Sequence, residues 1–145
     1  MSIVGLIALP AGAEEAIGQV KTVTGTVSAV HNGTEAPLAA GADIFQNVTL
    51  KTGSDGAVGV TFIDNTTLSM GESSEMVIDE MIFDPAAGNM SFSAKLAEGT
   101  FAFVTGSIAK LKPENMSISS PVATIGIRGT RFVVRIDNSD AEGGQ

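Results

Sequence analysis

The sequence contains no cysteine, no tryptophan and no tyrosine, and its one histidine is His31. Without cysteine the chain cannot form disulfides, thiolate metal sites or iron–sulfur clusters, and it cannot use a thiol nucleophile. One histidine is too few for a structural zinc site, and a Ser-His-Asp triad would have to use His31, which is expected to face solvent beside an Asn-Gly turn. The sequence therefore predicts no metal and no cofactor, and it argues against an enzyme.

Basic residues are also scarce, since 8 Lys and Arg stand against 16 Asp and Glu and give a net charge of -8. This acidity, with seven Phe as the only large aromatic residues, argues against nucleic-acid binding. Residues 1–100 hold 12 acids and 3 bases, whereas residues 101–145 hold 4 acids and 5 bases. The five late bases are Lys110, Lys112, Arg128, Arg131 and Arg135. Either they contact an anion or a partner, or, in the simpler interpretation, they pair with the acidic first part.

The first thirteen residues, MSIVGLIALPAGA, have the pattern of a secretory signal that lacks its basic front. An apolar run from Ile3 to Leu9 ends at Pro10, and Ala11-Gly12-Ala13 has the small-x-small form of a signal-peptidase site. The run is much shorter than the roughly 20 residues that span a bilayer. We expect a truncated or short signal at 1–13, a linker at 14–17 and a periplasmic or secreted protein; a hydrophobic first strand or a disordered start is the alternative.

From residue 18 onward the chain alternates apolar and polar residues over short runs that are separated by glycine or Asx turns. Clear strands are predicted at 57–63 and 67–70, and a bend at Asp79-Glu80 would place Met76, Ile78 and Ile82 on one face. A helical turn is predicted at 107–112. The sequence therefore predicts one all-β domain of many short strands at 18–136, β-solenoid-like or a β-sandwich, followed by a disordered acidic tail at 137–145.

Three stretches carry motifs in a fixed order. The longest is residues 121–134, PVATIGIRGTRFVV, in which apolar residues lead to a Gly-x-Arg-Gly-Thr-x-Phe core. Residues 50–53, LKTG, precede the strand, turn and strand of residues 57–68, and an opening strand pair surrounds Gly25. In their order along the chain, the three stretches resemble the FecR domain family over about residues 18–136. The signature residues that the resemblance marks as structural or interaction positions are Thr52, Gly53, Asp64, Gly126, Arg128, Gly129, Thr130 and Phe132.

Elementary chemistry suggests roles for several of these residues. Gly53, Gly56 and Gly129 are expected where turns need positive φ, which glycine adopts at no steric cost. The guanidinium of Arg128 offers five donors, so we expect it to bind backbone carbonyls or to pair with Asp64 or Asp55.

The resemblance implies an exported, non-enzymatic module that mediates protein contact or signal sensing in the bacterial envelope. Transmembrane FecR proteins resemble this chain only in their periplasmic part, so their regulator role is not expected to transfer whole. The expected partner is an envelope protein, with an exposed strand edge as the contact, and homo-oligomerisation stays open. The alternative is a module that binds cell-wall glycan or a divalent cation through acidic turns at Asp55, Asp64, Glu72 and Glu75.

Overall fold

A computed structural model describes residues 15–121, 124–125 and 131–136, so the predicted signal and acidic tail lie outside the described residues. Nearly all regular secondary structure of the described chain is strand, because its short β-branched runs alternate with period two between glycine and Asx turns. The strands are β1 (Gly18–Thr24), β2 (Val27–His31), β3 (Thr34–Pro37), β4 (Asp43–Ile44), β5 (Thr49–Thr52), β6 (Ala57–Phe62), β7 (Thr67–Met70), β8 (Glu75–Asp84), β9 (Asn89–Val104), β10 (Met116–Ser119), β11 (Thr124–Ile125) and β12 (Arg131–Ile136). A short helix, α1 (Ser107–Leu111), and a 3-10 turn (Pro113–Asn115) follow β9.

The strands form one curled sheet in the order β3-β2-β5-β8-β9-β7-β6-β1-β4. The first part of the long strand β9 pairs with β8 and β10, and its last part pairs with β7 and β12. The rings of Phe62 on β6 and Phe92 on β9 lie 5.3 Å apart, so the two halves of the curled sheet face each other across the core. The predicted all-β class is confirmed. The predicted solenoid is not confirmed, because the described pairings are antiparallel except β9 with β10, whereas coils of a β-helix pair in parallel.

The core changes face along β9 at Gly99. Before it the even-numbered residues point inward, and after it Phe101 and Phe103 are fully buried. Gly99 has φ 112, and this left-handed residue lets one strand serve both halves of the sheet. The alternating runs at 90–96 and 100–104 are therefore parts of a single sixteen-residue strand.

The predicted bend in β8 is present as a β-bulge between Ile78 and Glu80. The extra residue shifts the inward face by one position, so Met81 is buried and Ile82 is exposed. The expectation that Ile82 shares a face with Met76 and Ile78 was therefore wrong.

The buried core includes a residue that lies just before β1. Ile17, in the predicted linker, is buried; its N–H donates to Ile44 O at 2.7 Å, and its carbonyl accepts Ile63 N–H at 3.0 Å. Within the described residues, neither α1 nor the 3-10 turn has the length and apolarity of a membrane span.

Candidate functional site

The described signature residues lie in three separate places. Thr52 and Gly53 precede β6, Asp64 follows it, and Phe132 lies on β12. At about 3.3 Å per residue, the six residues of β6 hold the first two places roughly 20 Å apart. Gly126, Arg128, Gly129 and Thr130 lie outside the described residues, so their predicted roles, including an Arg128 pair with Asp64 or Asp55, stay predictions.

Thr52 ties the end of β5 to the turn between β7 and β8. Its buried hydroxyl donates to Gly71 O at 2.6 Å and accepts the N–H of Ser74 at 2.9 Å. The Ser74 hydroxyl in turn accepts the N–H of Thr100 at 3.1 Å. The threonine therefore satisfies polar backbone groups where three strands end, and this network explains why a hydroxyl is needed at the position.

The glycines beside Thr52 serve close packing. Gly53 N–H donates to Thr26 O at 2.9 Å, and neither Gly53 nor Gly56 has a positive φ. A Cβ on Gly56 would lie 2.2 Å from Thr26 O, so the backbone approaches too closely for any side chain. The predicted positive φ at these two glycines was therefore wrong; the close approach of the β1–β2 turn is the reason for Gly56.

We expect Thr52→Val to lower the free energy of unfolding by about 2 kcal/mol, because it leaves the N–H of Ser74 and the carbonyl of Gly71 without their partner. Thr52→Ser keeps the hydroxyl and is the matched control, with a smaller loss from the missing methyl group. Urea unfolding of both variants measures the difference, and equal losses would show that the hydroxyl has no special role.

Asp64 is fully buried at the other end of β6. Its Oδ1 accepts the N–H of Thr66 at 3.0 Å, and its Oδ2 accepts the Thr66 hydroxyl at 2.9 Å and the N–H of Ile108 at 3.2 Å. Its carbonyl accepts the N–H of Ser107 at 2.8 Å, and Thr66 Oγ1 accepts the N–H of Gly106 at 3.0 Å. The β6–β7 turn therefore holds the start of α1, which lies more than forty residues later in the sequence.

The acidic residues proposed for a divalent cation do not assemble around Asp64. Both of its carboxylate oxygens accept hydrogen bonds from the protein, and Asp55, at the opposite end of β6, accepts the N–H of Thr26 at 3.3 Å. Across the part of the chain that the structure describes, no group of three or more His, Asp and Glu residues could hold a metal ion. The described geometry gives the cation hypothesis no support.

His31 lies at the end of β2, and Asn32 (φ 54) and Gly33 (φ 80) form the predicted two-residue hairpin turn. Its ring stacks on Phe45 with centroids 5.6 Å apart, and the residue is half-buried. The expected solvent-facing histidine was therefore wrong, because the ring packs against an aromatic neighbour.

Phe132 belongs to β12, which pairs only with β9 among the described strands and so forms an edge of the sheet. Its ring stacks on Phe103 with centroids 4.9 Å apart and planes 13° from parallel. Phe132, Val134 and Ile136 are half-buried against the core, whereas Arg131, Val133 and Arg135 point outward and are exposed. The second backbone edge of this strand, beside a basic outer face, has no partner among the residues that the structure describes.

Arg131 and Arg135 on β12 bear on the two interpretations of the late basic segment. Neither Arg131 nor Arg135 forms an ion pair with another described residue, although the chain is rich in acids. Pairing with the acidic first part is therefore not seen for these two residues within the described chain. Contact with an anion or a partner stays the second interpretation.

The sequence did not reveal the partners of the signature residues. Ser74 and Gly106 have no distinctive pattern around them. Ser74 bonds to Thr52, 22 positions away, and Gly106 bonds to Thr66, the turn partner of Asp64, 40 positions away. The Asp-Asn-Thr-Thr run at residues 64–67 was the one local signal, because an Asx side chain that bonds the N–H two residues later is a common turn.

Comparison with known families gives one match: the model of the family described as FecR protein fits residues 48–143. This range covers more than half of the chain and runs from just before β5 through β12. No curated protein and no solved structure matches the chain.

Proposed function

This chain belongs to the FecR protein family, and from that premise we propose that it is a non-enzymatic module for protein contact in signalling or sensing at the bacterial envelope. One observation carries the proposal: β12 is an edge strand inside the matched range, and its outward arginines have no described acidic partner. An open strand edge is a ready template for a strand of another protein.

Two features of the sequence support the rest of the proposal. The apolar run ending at Pro10, followed by Ala11-Gly12-Ala13, supports export to the periplasm or beyond. The absence of cysteine and the single His31 support a binding role over catalysis, because cysteine is a strong nucleophile and histidine is the most frequent acid–base group of enzymes.

Site-specific photocrosslinking in living cells tests the contact. A photoreactive residue at Val133, which is 66% exposed on β12, should give a discrete adduct with an envelope protein. The matched control is Ala36, which is exposed on β3, the strand at the other end of the sheet. An adduct at Val133 and none at Ala36 supports contact through β12, whereas adducts at neither position would overturn the proposal.

Export has its own measurement. We expect the protein in the periplasmic or secreted fraction, with a mature N-terminus at Glu14 by mass spectrometry, because the small-x-small sequence ends at Ala13. Protein found only in the cytoplasm with an intact first segment would contradict this part of the proposal.

A further inference from the structure

We propose that β12 binds an extended segment of a partner protein whose side chains alternate between apolar and acidic residues. This inference rests on the proposed function, protein contact through β12, and adds the chemistry of the partner. It follows from the two faces of β12 and from its second backbone edge, which has no neighbour among the described strands.

The inner face requires apolar residues in the partner. Phe132, Val134 and Ile136 pack on the core, yet each stays half-exposed, whereas the core residues of the neighbouring strand β9 are fully buried. Because β12 has a described neighbour on one side only, a further strand of the sheet would run beside these partly exposed side chains. An added strand with apolar inward residues would cover these side chains and extend the core.

The outer face requires acidic residues. Arg131 and Arg135 are four residues apart, which places them about 13 Å from each other on one face of an extended strand. Val133 lies between them and is 66% exposed. Carboxylates on the outward positions of an added strand would lie directly opposite the arginines, where opposite charges stabilise strand pairing.

A second copy of this chain does not supply this chemistry through β12. Antiparallel self-pairing centred on Val133 places Arg131 opposite Arg135, and like charges directly opposite each other destabilise a strand pair. Centring on Val134 places Arg135 opposite Val133 and Arg131 opposite position 137, beyond the end of β12, so within β12 neither arginine meets a carboxylate. Any odd shift would place the apolar inner face against the exposed outer face. The geometry therefore favours a different protein as the partner.

A synthetic peptide that alternates Val and Glu, labelled with a fluorophore, tests the proposal by fluorescence anisotropy against the full chain. We expect binding that is about tenfold weaker for the double variant Arg131→Glu/Arg135→Glu and about tenfold weaker for a peptide that alternates Val and Lys. The matched control, Lys21→Glu/Lys51→Glu, changes the net charge equally on β1 and β5 and should leave the affinity unchanged within about twofold.

Methylated peptides separate strand pairing from general charge attraction. Along a strand, successive N–H groups point to opposite edges, so only every second N–H of the added peptide can bond to β12. Of two Val-Glu peptides that are N-methylated at alternate residues in opposite phases, we expect one to lose binding and the other to keep it. Equal behaviour of the two phases, or no binding of the unmethylated peptide, would overturn the inference.

The two proposals fail differently. A Val133 adduct in cells together with no peptide binding would remove the acidic and apolar partner chemistry and leave the envelope contact standing. Peptide binding together with no adduct at Val133 would show that β12 can accept such a strand, while the proposed role in the envelope would fail.

Discussion

Replacing Asp64 with Ala should lower the free energy of unfolding by about 3–5 kcal/mol. The substitution removes both acceptor oxygens from a fully buried site, where they bind the N–H of Thr66, the hydroxyl of Thr66 and the N–H of Ile108. Buried donors that lose their acceptor pay the cost of desolvation without a hydrogen bond in return. The turn after β6 and the start of α1 would both loosen, because this carboxylate is what they share.

Two variants calibrate the result. Asp64→Asn keeps one oxygen acceptor, so it should lower the free energy of unfolding less than Asp64→Ala does. It still costs stability, because its amide donor faces other donors. Asp55→Ala removes a carboxylate from an exposed turn with one bond at 3.3 Å to Thr26 N, and should cost less than about 1 kcal/mol. Since the chain lacks Trp and Tyr, unfolding in urea is followed by far-ultraviolet circular dichroism. Equal losses for the Asp64 and Asp55 alanine variants would contradict the role of Asp64.

Elements set by local pattern could be predicted from the sequence. The predicted strand 57–63 corresponds to β6, Ala57–Phe62, and the predicted strand 67–70 to β7. The helical turn predicted at 107–112 corresponds to α1, which Lys112 caps before Pro113. These elements are short and bounded by Asx, Gly or Pro residues, so their patterns are complete within a few positions.

Features that depend on distant contacts could not be predicted in this way. The bulge in β8 turns Met81 inward, and its position depends on how β8 pairs with β9. The residues around Asp79 do not by themselves indicate which residue is the extra one. The continuity of β9 through Gly99 is a similar case, since glycine more often ends a strand than bends one.

The signature itself was predicted as one group of residues, yet its described members act in separate places. The Thr52 hydroxyl bonds to backbone groups where three strands end, and the Asp64 carboxylate accepts an N–H at the start of α1. The Phe132 ring packs an edge strand on Phe103. Two of these are buried roles that hold the sheet in shape. Among the described signature residues, Phe132 lies on a strand with an exposed outer face, so contact with a partner is best sought on β12. The effects of changes at Thr52 or Asp64 are best measured as stability.

Replacing Gly106 with Ala is expected to cost about 3 kcal/mol, for a steric reason that the backbone conformation does not reveal. The φ of Gly106 is -107, outside the left-handed region that favours glycine. A Cβ at this position would nevertheless lie 2.2 Å from Asp64 O, 2.5 Å from Thr66 N and 2.7 Å from the carbonyl carbon of Asn65. All three are backbone atoms, so no change of rotamer relieves the overlap, and the β6–β7 turn must move away from α1.

Gly71→Ala is the matched control, because its Cβ would meet Thr100 Cβ at 3.6 Å, an ordinary contact, and its φ is not positive. We expect this variant to unfold at the urea concentration of the parent chain or slightly above it, since alanine lowers the entropy of the unfolded chain. Equal stability of the two alanine variants would refute the close approach at Gly106. If Gly106 and Asp64 support the same junction, the loss in Gly106→Ala/Asp64→Asn will be smaller than the sum of the single losses, because a turn already displaced has less to lose.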